Sequence, residues 1–146
     1  MKPKDLARRW FETLWNDHNP AVLDELMHPD ALGTSETGPI RGPKEFREQV
    51  YDVIIAAFPD IRIQIDGTVA EGDEVVVRWA FVATHTGPLG DLPASGRQVR
   101  VQGMTWMLFQ HGKIIEGADA FNMHAMLSYL STGTESATVR NAAHLA

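Results

Sequence analysis

The chain has 146 residues, 44% hydrophobic and 22% charged, the make-up of one ordinary globular domain with a proper core. A net charge of −6 leaves no basic stripe to displace counterions from phosphates, which argues against nucleic acid as a partner. With no cysteine there is no disulfide, thiol or Cys-based zinc chemistry, and the scattered histidines show neither HxxxH nor HxH spacing, so no metal is expected.

In chain order, Met1-Lys2-Pro3-Lys4-Asp5 lacks a signal-peptide core, and no apolar run approaches the ~20 residues that cross a bilayer. A cytoplasmic address without membrane contact is therefore expected. Ala7, Trp10, Phe11, Leu14 and Trp15 recur as one apolar helical stripe. Residues 16–19 break it, and Asn19-Pro20 starts a short helix through Met27. A short strand over 31–34 and a turn-rich link over 36–42 follow. Pro43 opens a second long helix with the stripe Phe46, Val50, Val53, Ile54, Ala57 and Phe58, which Pro59 stops.

From Ile61 the period switches to two, and Glu71-Gly72-Asp73 signals a hairpin. The strand over 74–85 places Val75, Val77, Trp79, Phe81, Ala83 and His85 on one face. After the Gly/Pro-punctuated loop HTGPLGDLPASG, its partner over 97–109 places Val99, Val101, Gly103, Thr105, Met107 and Phe109 on one face. A last strand over 114–119 ends in Asp119, and Met123, Met126, Leu127 and Leu130 give a closing helix over 122–130. The pattern predicts one α+β domain over residues 1–132, its N-terminal helices packed on a curved antiparallel sheet, and a loosely ordered tail over 133–146.

The segment from Ala57 to Leu127 carries, in order, FPD, EGD, VxVRW, HTG…G…P…SGR, VxVxG and GKIxE. It resembles the SnoaL-like polyketide cyclases of the nuclear-transport-factor-2-like superfamily, over roughly residues 5 to 132. The resemblance implies a cone-shaped α+β fold, a homodimer through the sheet, and an intramolecular aldol closure without metal or organic cofactor. It also implies a strand-end carboxylate as acid–base group, which falls on Asp119, and an assisting histidine, which falls on His85. Three positions depart from the family pattern: Ala118 replaces a usual Trp, Asn122 a usual acid and Leu108 a frequent Arg.

A carboxyl at the end of a central strand suits proton removal α to a carbonyl, because burial raises its pKa toward neutrality. Asp119 and His85 are thus the candidate catalytic pair. The plainer alternatives are an Asp that caps the next helix and a His that ties down the Gly-rich loop. Trp15, Trp79, Phe81, Phe58, Met104 and Asn122 are the candidate substrate contacts. Asn122 is also a natural helix start, and Trp10 is read as core. Trp106 is placed on the opposite face with Val76, Ala80 and Val82, an apolar surface expected to pair with a second copy. The expected activity is an acid–base cyclase or isomerase (a lyase-type reaction) on a small, largely apolar carbonyl compound. The alternatives are a non-catalytic binding module or an epoxide-hydrolase-like relative.

Overall fold

Pro3, whose missing N–H costs nothing in a first turn, starts the first helix. The computed structural model describes residues 1–145, with side chains through residue 143. Helix α1 (residues 3–16) is α-helical over Pro3–Arg9 and loosens to i→i+5 pairing over Trp10–Asn16, where Asp17 N–H donates to the Glu12 carbonyl at 2.9 Å. It buries Leu6, Ala7, Trp10, Phe11, Leu14 and Trp15. Asn16 then clamps a strand. Its side-chain amide donates to the Ile63 carbonyl at 2.9 Å and its oxygen accepts the Ile63 N–H at 2.6 Å.

Helix α2 (Val22–Leu26) leads into β1 (Met27–Ser35), which hairpins with β2 (Gly38–Arg41). The expected link over 36–42 therefore contains a strand. Gly38, at φ 127°, supplies the left-handed backbone that the tight turn needs. Helix α3 (residues 42–57) is a single run with an i→i+5 stretch over Arg47–Tyr51, and it ends ahead of Pro59 as expected.

Strands β3 (Arg62–Glu71), β4 (Glu74–Thr84), β5 (Gln98–Gln110) and β6 (Lys113–Ala120) form an antiparallel meander. The sheet order is β2-β1-β6-β5-β4-β3. One expectation needs correction: β1 runs parallel to β6, so the curved, unclosed sheet is mixed. The cause is non-local, since β1 and β6 are paired across the whole meander and no local period reports their direction. Register shifts at Ile65/Gly67 and Leu108/Phe109 bend the strands. The helices cover the concave face, and Phe58, Val75, Val77, Val99 and Met107 are sealed beneath them.

Helix α4 (Met123–Thr132) closes the domain and ends at Gly133, φ 80°. The tail departs from expectation. Strand β7 (Val139–Arg140) pairs with β5 at Val101 and Arg100, beyond the end of β6, and Val139 is fully buried there. Two hydrogen-bonding residues too short to show a period explain why the sequence pattern missed it. Among the described residues no helix is long and apolar enough to cross a membrane.

Candidate functional site

Alternation along β5 sends Gly103, Thr105 and Met107 inward, and the β5–β6 register sets Asp119 directly opposite Thr105. On the other side, Trp79 of β4 lies opposite Gly103. A Cβ at residue 103 would come within 2.5 Å of the indole, so only glycine lets Trp79 lie across β5 toward Thr105.

The three side chains form one hydrogen-bonded line. Trp79 Nε1–H donates to Thr105 Oγ1 at 2.9 Å, and Thr105 O–H donates to Asp119 Oδ1 at 2.5 Å. An indole only donates, so Oγ1 accepts from Trp79, and toward an ionised Asp119 carboxylate the hydroxyl proton is the donor. Trp79 and Thr105 are buried, at 6% and 5% exposure. Asp119 Oδ2 takes no hydrogen bond from the described residues, which makes it the oxygen free to exchange a proton with a bound molecule. Burial pushes the Asp119 carboxyl up from the usual range; the Thr105 hydrogen bond opposes this, and the negative charge of Glu36 adds to it.

Asp119 and Thr105 line a cavity of about 400 Å³ whose remaining wall is mostly apolar. Trp10, Phe11 and Trp15 come from α1, Phe46 and Ile54 from α3, Trp79 and Phe81 from β4, and Met126 and Leu127 from α4. Trp10 packs edge-on to Phe46 at 5.1 Å, and Phe121 lies 6.2 Å from Trp79. Glu36 and Thr37, on the β1–β2 turn, are exposed and also line the cavity.

Of the candidate residues, Asp119, Trp15, Trp79 and Phe81 line this cavity. Four do not. His85 is fully buried but turned to the loop: its Nδ1 accepts the Ser95 N–H at 3.1 Å and lies 2.9 Å from Ser95 Oγ. Burial lowers its pKa, in keeping with a neutral ring that accepts at Nδ1. The loop thereby takes the histidine that the family resemblance assigned to catalysis, and the structure does not bring it to Asp119. Phe58 is sealed in the core between Phe81 and His85, at ring distances of 5.6 and 5.5 Å. Met104 is half exposed on the outer sheet face, as it must be when its neighbour Thr105 points inward. Asn122 caps α4, its Oδ1 accepting the Ala125 N–H at 2.9 Å.

Thr105, Glu36 and Trp10 are among the lining residues that do not figure in the site expected from sequence. Thr105 was visible in principle, since it shares a strand face with Gly103 and Met107. Among the described residues, no group of three or more His, Asp or Glu side chains gathers in a way that could hold a metal ion.

Comparison with known proteins places this architecture. The profile of the SnoaL-like polyketide cyclases matches residues 5–130. An inferred SnoaL-like polyketide cyclase from Jannaschia sp. CCS1 superposes with a TM-score of 0.82 at 23% identity, over 89% of this chain and 92% of that one. IdmH, an inferred polyketide cyclase from Streptomyces antibioticus, gives 0.78 at 24% identity, over 90% and 100%. AclR, an inferred hydroxylase from Streptomyces galilaeus, gives 0.77 at 25% identity, over 88% and 80%. No curated protein matches by sequence.

Proposed function

The chain belongs to the SnoaL-like polyketide cyclase family, and on that footing we propose that it performs acid–base catalysis on a small, largely apolar carbonyl compound. Asp119 is the proton-transfer group in this reading. The observation that carries it is a desolvated carboxyl on the wall of an apolar cavity, tethered at Oδ1 by Thr105 and open at Oδ2.

The chemistry follows from that tether. Oδ2 takes the proton α to a carbonyl, and the electron pair passes into the enolate. For ring closure, the enolate carbon attacks a second carbonyl carbon of the same molecule, forming a C–C bond and leaving an alkoxide. The alkoxide recovers the proton from Oδ2, so the carboxylate is regenerated. Apolar walls hold the chain folded on itself and keep water from the enolate. Polyketide-type aldol closure is the form of this chemistry that family membership favours; simple isomerisation uses the same first step.

One observation favours a second reading, a binding module without turnover. No second polar partner from the family pattern stands beside Asp119, because Ala118 replaces the Trp and Asn122 is used as a helix cap. Proton exchange separates the two. In D2O, the protein should speed α-deuteration of the bicyclic ketone 2-tetralone, and Asp119→Asn should lose that acceleration by at least ~100-fold. A wild-type rate equal to buffer would reject the enzymatic reading. The outer sheet face supports a homodimer as part of the same proposal, since Val82 and Met104 lie on it at 40% and 50% exposure.

A further inference from the structure

The cavity wall carries one ionisable side chain besides Asp119, and it is a second acid, Glu36. Glu36 stands on the β1–β2 turn, exposed to solvent, close enough for its charge to raise the Asp119 carboxyl. Among the described residues, no Lys, Arg or His lines the cavity. Two cations next to lining residues are held elsewhere. Arg9 pairs with Glu25 at 2.5 Å, and Lys113 donates to the carbonyls of Asp24 and Glu25 at 3.2 and 2.9 Å. His85 is bound to Ser95.

When ionised, both acids act on a bound molecule with the same sign, Asp119 from the apolar wall that screens poorly and Glu36 from the exposed β1–β2 turn. A carboxylate entering the cavity would shed its hydration, find no cation and face Glu36 on the way. A neutral ester or ketone meets none of these costs. An aromatic lining that includes Trp10, Trp79 and Phe121 suits one or two fused rings, within a volume of about 400 Å³.

We infer that the cavity selects by charge, taking up uncharged ring-bearing carbonyl compounds and rejecting the matching carboxylates, with Glu36 strengthening this selection from the exposed β1–β2 turn. The inference rests on the cavity being the substrate site but not on Asp119 being the base. Because Glu36 is exposed, its share is screened by salt, whereas the interior share is not.

Methyl 2-naphthoate and 2-naphthoate differ only in this charge. Their affinities are to be measured by titration calorimetry near neutral pH, at low and high salt, for wild type, Glu36→Gln and Glu36→Lys. Circular dichroism checks that both variants fold, which the exposed position favours. Wild type is expected to prefer the ester by at least ~100-fold, Glu36→Gln to narrow that ratio by ~5-fold, and Glu36→Lys by ~30-fold. Salt should weaken the preference in wild type and leave it unchanged in Glu36→Gln. Equal binding of the two probes, an unchanged ratio in both variants, or no binding of either probe overturns the inference. An intact ratio without 2-tetralone exchange would instead count against Asp119 as base.

Discussion

Replacing Thr105 by Val keeps the β-branched shape and removes only the hydroxyl, so it dissects the line from Trp79 to Asp119. Two hydrogen bonds are lost, at 2.9 and 2.5 Å. The Trp79 N–H is left buried without an acceptor, a cost of ~1–3 kcal/mol. For a chain of this length that is a fall in melting temperature of roughly 3–10 °C. The carboxyl gives a second, independent signal. Thr105 favours the ionised form, so the variant should hold Asp119 higher than wild type does. A carboxyl held above its ordinary value contributes stability that is complete below the unfolded pKa and is lost as pH rises through the folded one. Thr105→Val should therefore lag wild type more under mildly basic than under acidic conditions, the gap opening as pH rises through the raised wild-type Asp119 value, below which both lose stability alike. Thr105→Ser, which restores the hydroxyl, should recover most of both effects. Urea unfolding at acid and basic pH, with carboxyl-carbon NMR titration of Asp119, measures them. An Asp119 that titrates lower in Thr105→Val, or a stability gap that does not change with pH, would refute the reasoning.

Two further outcomes follow from residues that the sequence placed differently. Burial lowers the His85 pKa from 6.5, so its contribution to stability is complete above that value and is lost as pH falls through the lower folded value. His85→Asn, whose oxygen can still accept the Ser95 N–H, should flatten the acid side of the stability profile and keep the 2-tetralone exchange rate; a loss matching Asp119→Asn would restore His85 to the catalytic site. On the outer face, Met104→Glu should turn a sedimenting dimer into a monomer, and a monomeric wild type would dismiss the homodimer.

How much of this was legible in the sequence depended on whether a signal was local. The stripe from Ala7 to Trp15 and the alternation along β4 and β5 report burial directly, because side-chain direction repeats with the backbone period. Asp119 was legible because it ends a strand as the only acid on that face. Period-two parity also condemned Met104, whose neighbours Gly103 and Thr105 face inward. By contrast, the parallel pairing of β1 with β6 and the seat of β7 on β5 depend on contacts between distant segments. His85 lies on the correct strand face, yet Ser95, ten residues on, captures its ring. Glu36 gave no signal at all, since a glutamate in a turn reads as solvated surface until the hairpin places it beside the cavity.

The site's asymmetry follows from one residue that cannot accept a hydrogen bond. Trp79 donates and Thr105 receives, so with Asp119 ionised the hydroxyl proton goes to Oδ1 and that oxygen is engaged before any ligand arrives. Were residue 79 a histidine or glutamine, the line could reverse and Thr105 could turn its hydrogen away from the carboxyl. Gly103 is what admits an indole at this position, because any side chain there would displace it. A glycine on a neighbouring strand thus fixes which carboxyl oxygen faces the cavity. That places the origin of the acid–base geometry in the β4–β5 register, two strands away from the acid itself.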